Sequence, residues 1–272
     1  VIERRRKPAQ PSLPQDSLAY ALRQAGKLVE AVLDGRNVTE AFEQAQSANP
    51  LWPDGVRGAI RDLTWGCLRD YGRGDLILAR LLSRPLPVEL HALLLVALYR
   101  LETRPAQAHV IVDQAVEAVA SFAPGLKAVA NGVLRNSQRQ LATFAPALEA
   151  DPRSRYRHPE WWVTRLRKDL PDDWEAALAA SNQRPPMSLR VNLRRASVDT
   201  VLATLAAADL QARRLANDAI LLEQPVPVSR LPGFAEGLVS VQDAGAQWAA
   251  RWLDAQPGQR VLDACAAPGG KA

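Results

Sequence analysis

The segment Val261-Leu262-Asp263-Ala264-Cys265-Ala266-Ala267-Pro268-Gly269-Gly270-Lys271-Ala272 concentrates the residues best suited to chemistry in this sequence. A short apolar run reaches an acid, passes through small residues and ends in Pro-Gly-Gly-Lys. That is the order of a buried strand, a tight turn and a helix start. A strand ending at Asp263 brings its carboxylate to the mouth of a parallel sheet, where open α/β folds bind ligands. Gly269 and Gly270 have no Cβ, so backbone N–H groups can approach a ligand closely. A helix starting near Lys271 adds unpaired N–H donors and the positive end of its dipole. The chemistry of such a loop is the holding of a phosphate or a carboxylate.

A P-loop is excluded, because Cys265 stands where its first Gly belongs and Ala272 replaces the magnesium-binding hydroxyl. A G-x-G-x-x-G dinucleotide fingerprint is absent as well. Two readings stay open on the residues alone. One is a loop for the amino-acid end of S-adenosylmethionine, which needs an N–H nest and a nearby acid. The other is an ordinary Gly-rich strand-to-helix turn. An α/β domain of this type normally needs on the order of 100 further residues to close its sheet. The sequence therefore reads as a fragment cut within that domain, and the absence of Met at Val1 points the same way. The strand Arg260–Asp263 would then have unpaired edges and fray.

The other reactive residues are sparse. Only Cys67 and Cys265 are present, which gives neither a disulfide framework nor a zinc site and fits a reducing cytoplasm. Cys67 falls on the apolar face of a helix and reads as core. His91 lies on a largely apolar helix and reads as packed or rim-exposed, while His109 and His158 sit near helix starts without a visible acid or cysteine partner. Trp161-Trp162, next to Arg165 and Arg167, could stack bases beside phosphate contacts; filling a domain interface is the favoured reading. Arg190 and Asn192 share one face of a strand, where RNA contact and a solvated face are equally weighted.

Lys and Arg number 34 against 29 Asp and Glu, a net charge of +5. The cations cluster at Arg4-Arg5-Arg6-Lys7, at Arg153, Arg155 and Arg157, at Arg165, Arg167 and Lys168, and at Arg194-Arg195 and Arg213-Arg214. Arginine forks suit phosphate, although composition alone fits a solvated surface as well. A 47% hydrophobic content excludes a disordered chain. No apolar run reaches the ~18 residues of a membrane span, and the basic N-terminus is not followed by a secretory signal.

The elements that must position these residues begin with helices. From about Asp16 to Thr143 apolar residues recur at helical spacing, giving an all-α bundle of about seven helices. Gly35 stops the first; Gly72 and Gly74 break the pattern after Tyr71. Val88 to Leu101 is apolar almost all round and should be central. Beyond Asp151, Pro159 to Asp169 and Asp172 to Asn182 read as helices. Ser188 to Asn192 reads as a strand, and Val198 to Ala208 as a helix capped by Ser197. Two strands, Leu210 to Leu215 and Ala219 to Leu222, meet at the turn pair Asn217-Asp218. Leu238 to Gln242 is a further strand, Ala244 to Leu253 a helix and Arg260 to Asp263 a last strand. The fold class is multidomain: a helical bundle, a small α+β module and the start of an α/β domain.

Asp263-Ala264-Cys265-Ala266-Ala267-Pro268-Gly269-Gly270-Lys271 resembles the first cofactor motif of the RNA cytosine-5 methyltransferases of the NOL/NSUN/Sun family. Arg184-Pro185-Pro186-Met187-Ser188-Leu189-Arg190-Val191-Asn192 resembles that family's segment ahead of the catalytic domain. Val241-Gln242-Asp243-Ala244-Gly245-Ala246-Gln247 resembles the stretch leading into it. An all-α front end before these motifs is similar to the bacterial Sun/Fmu branch, with its NusB-like N-terminal domain. The resemblance covers essentially the whole chain.

It implies a NusB-like RNA-binding domain over 1–150, an α+β linker module over 151–232 and the beginning of a Rossmann-like methyltransferase domain over 233–272. It implies methylation of carbon 5 of a cytosine in small-subunit ribosomal RNA by the full protein, in the cytoplasm, with S-adenosyl-L-methionine as cofactor and no metal. Cys265, Ala266, Ala267, Pro268, Gly269, Gly270 and Lys271 would form the cofactor loop. The family usually has Thr or Ser after this lysine, and Ala272 departs from that. The family's cysteine thiolate attacks carbon 6 of the base, carbon 5 takes the methyl group, and a base removes its proton. A cysteine packed into the cofactor loop cannot also reach the far face of a flipped base, so Cys265 is not that nucleophile. The family's catalytic cysteines lie downstream of this loop, so no catalytic residue is expected in this chain, which should be inactive alone. A monomer that binds ribosomal RNA and no membrane is the expected state. The alternative is a non-catalytic NusB-type module that binds RNA or protein.

Overall fold

The structure is a computed structural model, and it describes residues 12–183, 185–216, 218–264 and 266. The chain divides into two compact units between Asn182 and Gln183.

In the first unit, α1 (Leu18–Leu33) starts at Ser17, whose hydroxyl accepts from the Tyr20 N–H at 3.1 Å. It stops at Asp34 and Gly35, the latter with φ +88°, which suits a residue without Cβ. Asn37 caps α2 (Val38–Ala48). α3 (Asp54–Arg69) and α4 (Tyr71–Leu81) meet at Asp70. The glycines expected to break the helix there, Gly72 and Gly74, lie inside α4 instead. The break falls at Asp70. Gly72 is required by packing: a Cβ on it would stand 2.8 Å from the Arg153 carbonyl oxygen.

α5 (Val88–Thr103) is central, as its apolar circumference implies, with Leu90 and Ala92 through Leu98 all buried. It packs on α1, where the Cα of Leu93 would lie 3.2 Å from a Cβ on Gly26. α6 (Ala108–Ala120) and α7 (Lys127–Ala150) complete the seven helices of the bundle.

Three shorter helices follow: α8 (Pro152–Tyr156), α9 (Glu160–Asp169) and α10 (Trp174–Ser181). They belong to the bundle's compact unit, which therefore extends past the expected boundary near Asp151. The reason is packing of α8 against α4 and α7. Arg157 adds an ion pair to Asp70 at 3.1 Å and Arg155 one to Glu149 at 3.2 Å.

The second unit is a four-stranded antiparallel sheet of β1 (Met187–Val191), β2 (Ala212–Arg214), β3 (Ile220–Leu222) and β4 (Val239–Val241), in the order β2-β3-β1-β4. α11 (Val198–Ala207) is capped by Ser197, as its sequence requires. Val201 and Leu205 of α11 join Leu189, Val191, Ile220, Leu222, Leu231 and Val239 in one core. β4 joins this sheet, so residues on both sides of the expected boundary at 232–233 share one fold. Asp218 turns β2 into β3 with φ +60°; its partner in the expected turn pair, Asn217, lies outside the described residues. α12 (Trp248–Leu253) is shorter than the expected Ala244–Leu253.

The expected strand Arg260–Asp263 is not a strand. Its apolar pair is solvent-exposed, Val261 at 54% and Leu262 at 88%. No neighbouring strand pairs with it among the described residues, and an isolated strand has no ladder to hold it.

Candidate nucleic-acid interface

The pleat of β1 decides which side chains meet. Leu189 and Val191 point to the core shared with α11, so Ser188 and Arg190 take the opposite face. In the antiparallel register Arg190 lies opposite Ser240 of β4. Just beyond, Ser188 donates its hydroxyl to the Gln242 carbonyl at 2.9 Å. Gln247 donates to the Leu189 and Gln242 carbonyls at 3.3 and 3.2 Å. These buried polar bonds hold the chain that follows β4 against the second face of the sheet.

The result is a cleft of about 690 Å³. Arg190, Asn192, Arg194, Ser240, Gln242, Arg251 of α12 and the carboxylate-bearing Asp218 are among the residues that line it. A cleft of this size suits a ligand of nucleotide dimensions. Asn192 is fixed by its amide, which donates to the Gly237 carbonyl at 3.1 Å. Arg251 donates to Asp218 at 2.9 Å, and Asp218 also accepts from Arg214. These two arginines hold the Asp218 carboxyl below its usual range, Arg214 first and Arg251 second. Arg190 and Arg194 have no carboxylate partner among the described residues. Gln242 is 8% exposed, and its Oε1 accepts no hydrogen bond. Sequence reasoning singled out Arg190 and Asn192 but missed Arg194, Gln242 and Arg251 as their neighbours. Gln242 and Arg251 come from a segment about 50 residues away, joined to β1 only by sheet register.

Of the expected cofactor loop, Cys265, Ala267, Pro268, Gly269, Gly270 and Lys271 lie outside the described residues, and Ala266 is exposed without regular structure. Cys67 is buried, and burial pushes its thiol well above the usual range, as befits a core residue. His91 lies 3.3 Å from Asp75, a partner not apparent in the sequence. His158 is held between the Tyr156 carbonyl at 2.6 Å and the Ser181 hydroxyl at 3.0 Å, which ties α8 to α10. His109 is exposed. Trp161 and Trp162 stand edge to face at 5.5 Å, and neither is buried. No group of His, Cys, Asp and Glu fit to hold a metal ion occurs among the described residues.

The profile of the NusB family matches residues 19–139, and that of the Methyltr_RsmF/B-like ferredoxin-like domain matches residues 158–229. The chain joins a NusB-family region to an RsmF/B-like ferredoxin-like domain. Proteins of Escherichia coli and Escherichia fergusonii called ribosomal RNA small subunit methyltransferase B are each 40% identical to it over 247 residues. Those alignments cover 86% of this chain and 57% of each relative. The chain thus spans little more than half the length of the relatives it matches. The crystal structure of PH0851 has a similar fold, with a TM-score of 0.64 and 19% identity over 96% of this chain and 60% of that one. The NusB-family region is the α1–α7 bundle. The RsmF/B-like ferredoxin-like domain supplies β1, α11, β2 and β3, while β4 and α12, which close the cleft, follow the matched residues.

Proposed function

We propose that this chain is the front portion of a methyltransferase that methylates carbon 5 of a cytosine in small-subunit ribosomal RNA. The observation that carries this reading is 40% identity, over 86% of the chain, to proteins named ribosomal RNA small subunit methyltransferase B. The helical unit up to Asn182 acts as the RNA-binding part, the four-stranded sheet with α11 as the linking module, and the segment that follows β4 as the start of the catalytic domain. The cofactor is S-adenosyl-L-methionine, which supplies an activated methyl group. Cys265 through Lys271 bind it, since small residues and successive backbone N–H groups suit its charged amino-acid end. The chain itself contributes RNA positioning and this loop, and it transfers no methyl group alone. Cys67 is no nucleophile, because its thiol is buried. The protein acts as a cytoplasmic monomer; among the described residues no helix is long and apolar enough to cross a membrane.

Calorimetry with S-adenosylmethionine tests this reading, comparing the chain with a version extended through the rest of its gene. Binding and cytosine methylation of ribosomal RNA by the extended chain only are the expected result. No binding by either version would leave a NusB-type module that binds RNA or protein, with Pro268-Gly269-Gly270 as a turn.

A further inference from the structure

α8, α9 and α10 form an arm that follows the seven-helix bundle. Its own core is thin, for α9 buries Val163 alone and α10 buries Leu178 alone. α10 is tied to the end of α8: Tyr156 donates its hydroxyl to Glu175 at 2.7 Å, and the Asn182 amide donates to the Tyr156 carbonyl at 2.9 Å. α8 supplies the packing on the bundle, against α4 and α7. The core of the bundle draws no residue from the arm. By family match, α9 and α10 belong to the ferredoxin-like region that begins at residue 158. Arg157, at the end of α8, takes a left-handed φ of +57° and reaches Asp70. A non-glycine residue holds that conformation only where its contacts fix it.

Asp70 lies where the arm meets the α3–α4 corner and is almost wholly buried. Facing it are Cys67 of α3, Arg73 of α4, Tyr99 and Glu102 of α5, and Arg157. Arg73 Nε is taken by Glu102, donating to both carboxylate oxygens at 2.9 and 3.0 Å. The Asp70 and Glu102 carboxyls are hydrogen-bonded to each other, and two carboxyls bond only across a shared proton. The docked arm therefore suits a protonated Asp70. An ionised Asp70 would keep a second carboxylate beside it, and Arg157 at 3.1 Å would answer it without a hydrogen bond at Oδ1. Lifting the arm gives that charge back to water.

We propose that the α8–α10 arm is a proton-gated latch, held docked on α4 and α7 while Asp70 is protonated and loosened when Asp70 ionises. Burial raises the docked carboxyl to about 6, with Arg157 opposing and Glu102 adding to the shift. Its proton is held more tightly in the docked arm than in the lifted one. Docking is thus tightest below pH ~4, weakens as pH rises and levels off above about 6. Between pH 5 and pH 7 the docking equilibrium falls about tenfold. Cys67 and Tyr99 are both pushed up, away from this window. The latch needs neither RNA nor cofactor and stands apart from the methyltransferase reading.

Hydrogen exchange of the whole chain, corrected for the intrinsic pH dependence of amide exchange, reads the latch. Amides of residues 154–182 should be far less protected than those of α5, and their protection should fall about tenfold from pH 5 to pH 7. Asp70→Asn, neutral throughout, should keep the arm equally protected at both. Arg157→Gln should lower protection at pH 7 and change little at pH 5. Arg157 is half exposed, so this variant tests the latch even if Asp70→Asn does not fold. A histidine also changes charge in this range, and His158 joins the Tyr156 carbonyl to the Ser181 hydroxyl within the arm. His158→Gln is therefore the control and should keep the pH dependence. The same pH dependence in Asp70→Asn as in the unaltered chain would overturn the latch. So would an arm as protected as α5, which would open only with the whole unit, or an Arg157→Gln effect equal at both pH values. Flattening by His158→Gln instead of Asp70→Asn would overturn it in favour of the histidine.

Discussion

Asp70 shows how a single residue takes its properties from packing. It ends α3, opens α4 and is 7% exposed. Burial raises its carboxyl pKa to about 6; Arg157 opposes the shift, and Glu102 adds to it by charge and hydrogen bonding. The Arg157 contact at 3.1 Å is ionic without hydrogen-bond alignment, because Asp70 Oδ1 counts no hydrogen-bond partner. An acid whose folded pKa is raised costs stability as it ionises. Its contribution is therefore most favourable below pH ~4 and declines as pH rises toward about 6. Asp70→Asn should gain stability relative to the unaltered chain between pH 4.5 and pH 7, conditions at which urea unfolding of both proteins can be compared. A constant difference across that window would contradict the raised pKa. Gly72 is set by packing in the same way. Gly72→Ala forces a methyl group against the Arg153 carbonyl oxygen, which is backbone and cannot swing aside. It should cost about 1–3 kcal/mol in denaturant unfolding, because overpacking strains the α4–α8 contact.

At the scale of elements, α5 illustrates a helix made by its surroundings. Its circumference is too apolar for a surface helix, and α1, α3, α4, α6 and α7 enclose it. Leu94 is 0% exposed there, so Leu94→Ala should cost about 2–5 kcal/mol by leaving a cavity. Helix starts depend on smaller forces. Ser197→Ala removes the acceptor for the Thr200 N–H at 3.1 Å and should cost about 1 kcal/mol, readable as a lowered urea midpoint. The seven helices of the bundle were legible in the sequence because their apolar residues recur on one face. The start of α4 was not, since glycine breaks a helix by propensity and is kept in one by close packing, and only the second applied at Gly72. The strand expected at Arg260–Asp263 failed for the complementary reason. A strand is completed by a neighbour, and an apolar run supplies only half of the pairing.

For the whole molecule, the two compact units hold separate cores, one within α1–α7 and one between α11 and the sheet. Separate cores unfold separately when few interactions couple them, so calorimetry of the full chain should resolve two transitions. Leu94→Ala should lower only the first unit's transition, and Leu205→Ala, at a site with 0% exposure in α11, only the second's. A single transition shifted by both would show one cooperative fold. The sequence by itself determined the helical bundle, the α+β module, the Ser197 cap and the core role of Cys67. These follow from periodicity and local hydrogen bonding, which neighbouring residues supply. It also carried the motif resemblance, whose loop from Cys265 to Lys271 remains a statement about sequence. Only the tertiary structure decided that residues 152–181 pack with the bundle, that β4 sits beside β1, and that Arg190 and Arg194 share a cleft with Gln242 and Arg251. Those arrangements depend on strand register and on helix faces far apart in the chain, and no local pattern encodes which distant edge a strand will meet.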